Sequence, residues 1–187
     1  MRIIAGTLKG RRLKTPSWDG LRPTSDKLRE TLFNILAPRI GGARVLDGYA
    51  GTGAIGIEAI SRGAARVTFV ERDRRAQALI AENLAHCGVT DGYAIIRASV
   101  GRAIDDLRAE SFEIMIFDPP YQEQADDVLA AAGERLSAGG VLVLEHSRRR
   151  RSPDQLGRLR RTREVTSGDS ALAFFEIGRR EGNSDEG

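Results

Sequence analysis

From residue 44 onward, short blocks of consecutive apolar residues alternate with stretches where apolar residues recur every three or four positions. The blocks "RVLD" (44–47), "RVTFVE" (66–71), "YAIIRA" (93–98), "EIMIFD" (113–118) and "GVLVLEH" (140–146) read as buried strands. The intervening segments read as helices: from about 54, from about 73 to 86, from about 101, and from about 124 to 136. Strands joined by helices imply right-handed crossovers and a parallel sheet with helices on both faces. The rhythm then breaks. "RRTREVTSG" and "SALAFFEIG" have no long helix between them and should close a seven-stranded sheet as an antiparallel hairpin. Ahead of this body, "PTSDKLRETLFNILAP" places Leu28, Leu32, Phe33, Ile35 and Leu36 on one helical face, with Thr24, Ser25 or Asp26 as N-cap and Pro38 as the stop. The first strand-like pieces, "RIIAG" and "GRRLKT", joined through Gly6 and Gly10, predict a small hairpin. The expected organisation is a hairpin extension (1–22), an α/β domain (23–178) and an acidic, disordered tail (179–187).

Composition narrows the class. A chain of 187 residues, 41% hydrophobic, suits one domain with a sizeable core. The single cysteine, Cys87, rules out an intrachain disulfide, and with two histidines no metal site is expected. No secretory h-region opens the chain, and no apolar run approaches the roughly 20 residues of a membrane span, so a cytoplasmic protein is expected. Net charge is only +3, but its distribution is uneven. Residues 1–14 carry Arg2, Lys9, Arg11, Arg12 and Lys14 with no acid, and Arg148 to Arg163 hold eight arginines against the one acid Asp154. Clustered cations of this kind suit a polyanion such as RNA or DNA, and equally a solvated face.

Candidate chemistry begins at "VLDGYAGTGAIGIEA", with glycines at 48, 51, 53 and 56 between a strand and a helix. Read literally, "GTGAIG" matches the dinucleotide fingerprint, although Asp47 and "GYA" intervene between strand and first matching glycine. The D-x-x-x-G-x-G form resembles instead the motif I loop of class I methyltransferases that bind S-adenosylmethionine. That resemblance implies cofactor contacts at Asp47, Gly48, Tyr49, Gly51 and Gly53, with the acid near the positively charged end of the cofactor. Glu71 ends the next strand, at the interval where nucleotide-binding α/β folds place an acid for the ribose hydroxyls, and Arg72 follows it. After the third strand, Ser99 stands where many relatives have an Asp contacting the adenine amine; its hydroxyl or the Val100 amide is the candidate substitute.

"EIMIFDPPYQ" supplies the second half. Pro119 and Pro120 cannot donate to a sheet ladder, so the strand must stop at Asp118. The Asp118 side chain and the Pro119 carbonyl then offer two acceptors on a rigid turn, suited to an exocyclic amine with two hydrogens to give. Holding both hydrogens draws the nitrogen lone pair out of conjugation and aims it at a methyl donor, so catalysis is chiefly positioning. Tyr121 can stack on the base. "DPPY" here resembles motif IV of methyltransferases acting on amino groups of adenine, cytosine or guanine, which makes Asp118, Pro119, Pro120 and Tyr121 the catalytic candidates, with Asp118 also against the cofactor.

The opening "RIIAGTLKGRRL" and "LRPTSDKLRETLFNIL", with "LDGYAGTGAIGIEAISRGA", "FDPPY", "LVLEHS" and "SALAFFEIG", resemble the RsmD family of bacterial 16S ribosomal RNA guanine-N2 methyltransferases over nearly the whole chain. The resemblance implies a class I, Rossmann-like fold, S-adenosylmethionine as donor, and a guanine 2-amino group in free or assembled small-subunit RNA as acceptor. Lys9, Arg11, Arg12 and Lys14 would grip phosphates; Arg22 and Thr24 would lie near cofactor or target base, or form a turn and helix cap. Arg148 to Arg151 would contact RNA or line a solvated loop. A monomer is the simplest expectation. The alternatives are an adenine or cytosine amino methyltransferase on other RNA or DNA, an NAD-dependent oxidoreductase using "GTGAIG", and a non-catalytic RNA-binding relative.

Overall fold

The computed structural model describes residues 1–18, 25–109, 111–120 and 125–178. Five helices, α1 (Asp26–Ile40), α2 (Ala54–Ser61), α3 (Arg74–His86), α4 (Val100–Asp106) and α5 (Asp126–Gly133), surround one sheet. Its strands are β1 (Arg44–Gly48), β2 (Arg66–Glu71), β3 (Tyr93–Arg97), β4 (Phe112–Phe117), β5 (Leu136–Ser147), β6 (Gln155–Leu156), β7 (Leu159–Ser167) and β8 (Ser170–Ile177). The spatial order is β3-β2-β1-β4-β5-β8-β7-β6. The first five pair in parallel and the last three antiparallel, so the expected closing hairpin is present with β8 inserted between β5 and β7. The two-residue β6 adds an edge strand to the seven expected from the pattern.

Alternation along the central strands divides the core. Val45, Val67, Phe69, Ile114, Ile116 and Val143 face α1, α2 and α3, while Leu46, Val70, Met115, Phe117, Leu142 and Leu144 face α4 and α5. Strands buried on both faces are what continuous apolar blocks produce, and they leave only the strand ends for chemistry. Helix α1 lays Leu28, Leu32, Phe33, Leu36 and Ile40 into this core, capped by Ser25, whose hydroxyl accepts from Leu28 N at 3.2 Å.

Helix α1 does not stop at Pro38. It continues to Ile40, because Pro38 and Asn34, whose carbonyl loses its helical partner, both face solvent while Ile40 is buried. At the other end, α5 is shorter than its pattern and β5 longer: β5 begins at Leu136, and its pairing with β4 jumps from Phe112↔Leu136 to Ile114↔Val141. The stretch "SAGG" near the start of β5 absorbs this irregularity, with Gly139 at φ 74°.

The opening segment is hairpin-like but has only the isolated bridge Arg2↔Arg12, and it binds to helices. Gly6, at φ 82°, presses against α2 so closely that a Cβ there would lie 1.8 Å from the Ser61 carbonyl oxygen. Glu58, buried in α2, accepts from the amides of Ile4 at 2.8 Å and Ala5 at 3.0 Å, and from the Arg62 side chain. Ser61 accepts from Leu8 N at 3.0 Å and donates to the Ala5 carbonyl. Further along, the Arg11 guanidinium donates to the His86 carbonyl at 3.5 Å, Lys14 pairs with Glu82, and the Arg75 guanidinium lies over the Trp18 ring at 5.1 Å. The arm therefore runs along α3 from its C-terminal end to its N-terminal end.

Candidate active site

Three carboxylates meet at the C-terminal ends of adjacent parallel strands, where open α/β sheets bind ligands. Gly48 pairs with Val70 on one side and Phe117 on the other, so Tyr49, one residue further, stands level with Glu71 and Asp118. Tyr49 enters the loop at φ 63°, followed by Gly51 at φ 54° and Gly53 at φ 78°. Left-handed backbone at three of five positions coils the chain tightly before α2 begins. Gly48 serves packing instead: a Cβ there would lie 2.5 Å from the Phe117 ring.

Asp47 is 2% exposed, and its Oδ2 accepts from Gly56 N at 2.9 Å. Gly53, the N-cap of α2, has no side chain to cap with, so Asp47 satisfies the third amide of the helix from the end of β1. Gly56 also lets α2 pack closely on β2, since a Cβ would sit 2.1 Å from the Phe69 ring. Burial, helped by the charges of Asp118 and Glu71, pushes the Asp47 carboxyl up to about 7 against the pull of that amide. Glu71 is held across the loop: its carboxylate accepts from Gly51 N at 3.0 Å and Asp73 N at 2.8 Å. Three carboxylates grouped at the strand ends beside a tightly coiled glycine loop fit a ligand with cationic and hydroxyl groups, as S-adenosylmethionine has.

The remaining cofactor candidates sit around this centre. Arg72 is exposed beyond Glu71. Ser99 is exposed and caps α4, accepting from Arg102 N at 3.4 Å, and Val100 is buried as the first residue of that helix. The structure thus gives the Ser99 hydroxyl a local structural role. Asp118 and Pro119 are half-buried and Pro120 exposed, following directly on β4. Arg22, Thr24 and Tyr121 lie outside the described residues, as does the 179–187 tail.

Lys9, Arg11, Arg12 and Lys14 are all exposed on the arm. Sequence reading placed these cations without finding what holds them. That task falls to Glu58, Ser61 and Asn83. Asn83, fully buried in α3, accepts from Lys14 N at 2.8 Å and donates to the carbonyls of Lys14 at 3.2 Å and Thr52 at 3.0 Å, joining the arm to the glycine loop. One signal was available: Asn83 falls in the apolar stripe of Leu79, Ile80 and Leu84, where a polar residue needs a partner.

Parallel sheet, glycine loop and strand-end acids together define a class I methyltransferase fold. The family profile described as "Conserved hypothetical protein 95" matches residues 1–176, and the chain belongs to that family, the RsmD family. A Bacillus subtilis (strain 168) protein named "Putative rRNA methyltransferase YlbH" is 36% identical over 181 residues, spanning 94% of this chain and 98% of that protein. "Ribosomal RNA small subunit methyltransferase D" of Escherichia coli (strain K12) is 43% identical over 122 residues, 65% of this chain and 61% of its own length. Among solved structures, "Putative methyltransferase yhhF from Escherichia coli" superposes with a TM-score of 0.82 at 29% identity, covering 96% of this chain and 99% of that one. Among the described residues, no helix is long and apolar enough to cross a membrane.

Proposed function

We propose that this protein transfers a methyl group from S-adenosylmethionine to the exocyclic N2 amine of a guanine in 16S ribosomal RNA, in the cytoplasm. The observation that carries the reading is the pairing of Gly48 with Phe117, which sets the glycine loop of β1 beside the Asp118-Pro119 turn of β4. When bound, the cofactor would supply an electrophilic methyl, the nitrogen lone pair forming the new bond to carbon while the carbon–sulfur pair stays on sulfur.

The chain's own residues orient the partners. The loop amides and Glu71 position the adenosyl and amino-acid ends; Asp118 and the Pro119 carbonyl accept the two amine hydrogens, and Tyr121 is assigned to stack on the base. No base is needed before transfer. The methylated nitrogen is strongly acidic and gives its proton to Asp118 or water. The small-subunit RNA as substrate is supported by the names of the relatives and by the exposed cations of the arm. A target base must leave its stack to be reached, which suits single-stranded RNA.

The test is methyl transfer from labelled S-adenosylmethionine to small ribosomal subunits from cells lacking the protein, with free 16S RNA and duplex DNA in parallel, followed by nucleoside analysis. Label is expected as N2-methylguanosine in the RNA. Asp118→Ala should lower kcat by about 100-fold or more, as for loss of a group that positions the reacting atoms. Label in DNA, or as methyladenosine, would overturn the substrate and leave the fold.

A further inference from the structure

Beside the Pro119-Pro120 turn lies a cleft of about 120 Å³, between α5 and the connection that leads from β5 to β6. Its floor is apolar, made by Leu129 and Leu144 with the two prolines. His146, 7% exposed, also lines it, and among the described residues no group completes a hydrogen bond to its Nε2. The Glu164 carboxylate is 3.4 Å from that nitrogen, within ion-pair reach but without hydrogen-bond geometry. Four consecutive arginines, Arg148 to Arg151, are exposed in the connection, and Arg150 and Arg151 form one wall of the cleft.

The arginine turn is held from below by groups that are not its own arginines. Ser152, 3% exposed, donates to Glu164, and the Arg161 guanidinium on β7 donates to Ser152 Oγ at 2.7 Å and Glu164 at 2.9 Å while also pairing with Asp154. Main-chain bonds from Arg148 N to the Asp169 carbonyl at 2.8 Å, and from Arg150 N to the Ser147 carbonyl at 2.9 Å, fix its path. A merely solvated loop has no need of such a base. The acids at the cleft are Asp126, 3.9 Å from Arg150, and the buried Glu145, both in its lining, and beyond the lining Asp154, 3.6 Å from Arg151; the two arginine pairs are exposed and long, so a phosphate can displace them.

We infer that this cleft holds a nucleotide next to the methylated guanine in the RNA strand, its base on Pro120, Leu129 and Leu144 and its phosphate at Arg150 and Arg151. An apolar floor, buried polar groups at Glu145, His146 and Ser152, and cations at the rim match a base with its phosphate. The inference rests on the RNA-methyltransferase reading above and assigns it a second contact, on the acceptor side of the sheet.

The test uses the double variant Arg150→Ala, Arg151→Ala with whichever substrate, free RNA or small subunit, the unaltered enzyme methylates. Melting temperature and cofactor affinity should be unchanged. KM for the RNA should rise about 10-fold with kcat nearly constant, and the salt slope of RNA binding should fall by about 1, for the one phosphate that the two arginines hold. A photocrosslinking variant, Arg151→p-benzoylphenylalanine, should join to a nucleotide within about two positions of the methylated guanine. Unchanged KM and salt slope would overturn the inference, as would crosslinks confined to a ribosomal protein or to distant RNA. If the unaltered enzyme yields no N2-methylguanosine, the functional reading fails first, and the salt slope of direct RNA binding still decides the cleft.

Discussion

The arm and the arginine turn are the two most basic segments of the chain, yet they are held in opposite ways. The arm is fixed mainly through its backbone: Glu58, Ser61 and Asn83 bond the amides and carbonyls of Ile4, Ala5, Leu8 and Lys14, whatever side chains those residues carry. The turn is fixed mainly through charged side chains, with Arg161 gathering Ser152, Asp154 and Glu164. In both, most cations stay outside the holding network and remain exposed. The difference teaches where each segment is vulnerable. The seat of the arm depends on close backbone approach, and that of the turn on charges that salt and pH can reach.

The largest effect should come from the closest approach. Gly6→Ala places a methyl inside the Ser61 carbonyl at a left-handed φ and should cost about 3 kcal/mol or more, releasing the arm and weakening RNA methylation about 100-fold. Gly10→Ala, with the same left-handed backbone but nothing within 4 Å, should cost only about 1 kcal/mol. Thermal melts of the two variants decide this; equal losses would show that backbone strain, not contact with α2, governs the arm.

Between the two segments, the site has its own weak point at Asp47. Its folded value of about 7 lies above the ordinary 3.8, so the folded chain holds a proton that the unfolded chain releases, and stability falls as pH rises from about 4 through 7. Asp47→Asn keeps an acceptor for Gly56 N and removes the charge. Without cofactor, it should gain about 2 kcal/mol on the unaltered protein at pH 8, and little at pH 4, in denaturant titrations. Parallel pH profiles would refute the assignment.

Arg161→Ala comes next. It strips Glu164 and Ser152 of their shared donor and should destabilise by about 1–2 kcal/mol, discounted because both charges are partly exposed. It should also raise KM for RNA though Arg161 touches none, and the loss should shrink as salt is added to the unaltered protein; Gly6→Ala should show no such convergence. The smallest effect belongs to Lys14→Ala. Its pair with Glu82 is more than half exposed on both sides, so stability should move by less than about 0.5 kcal/mol while the salt slope of RNA binding falls by about 1.

Local order was legible along the chain. Apolar blocks and three-to-four-residue repeats separated strands from helices, and the closing hairpin followed from a missing helix, because these periods record which face of an element is buried. Glycines at 51 and 53 and the prolines at 119 and 120 announced turns, since those residues impose backbone geometry by themselves. Partners far apart in sequence were not legible. That Gly48 stands between Val70 and Phe117, that Asp47 caps α2, and that Glu58 seats Ile4 across 54 positions depend on which elements pack together. Pro38 shows the same limit: its stop signal was real, and burial of Ile40 overrode it. Periodicity specifies what each segment must hide; only the folded sheet decides which polar groups are hidden together, because a buried donor takes its acceptor from space and not from the neighbouring residue.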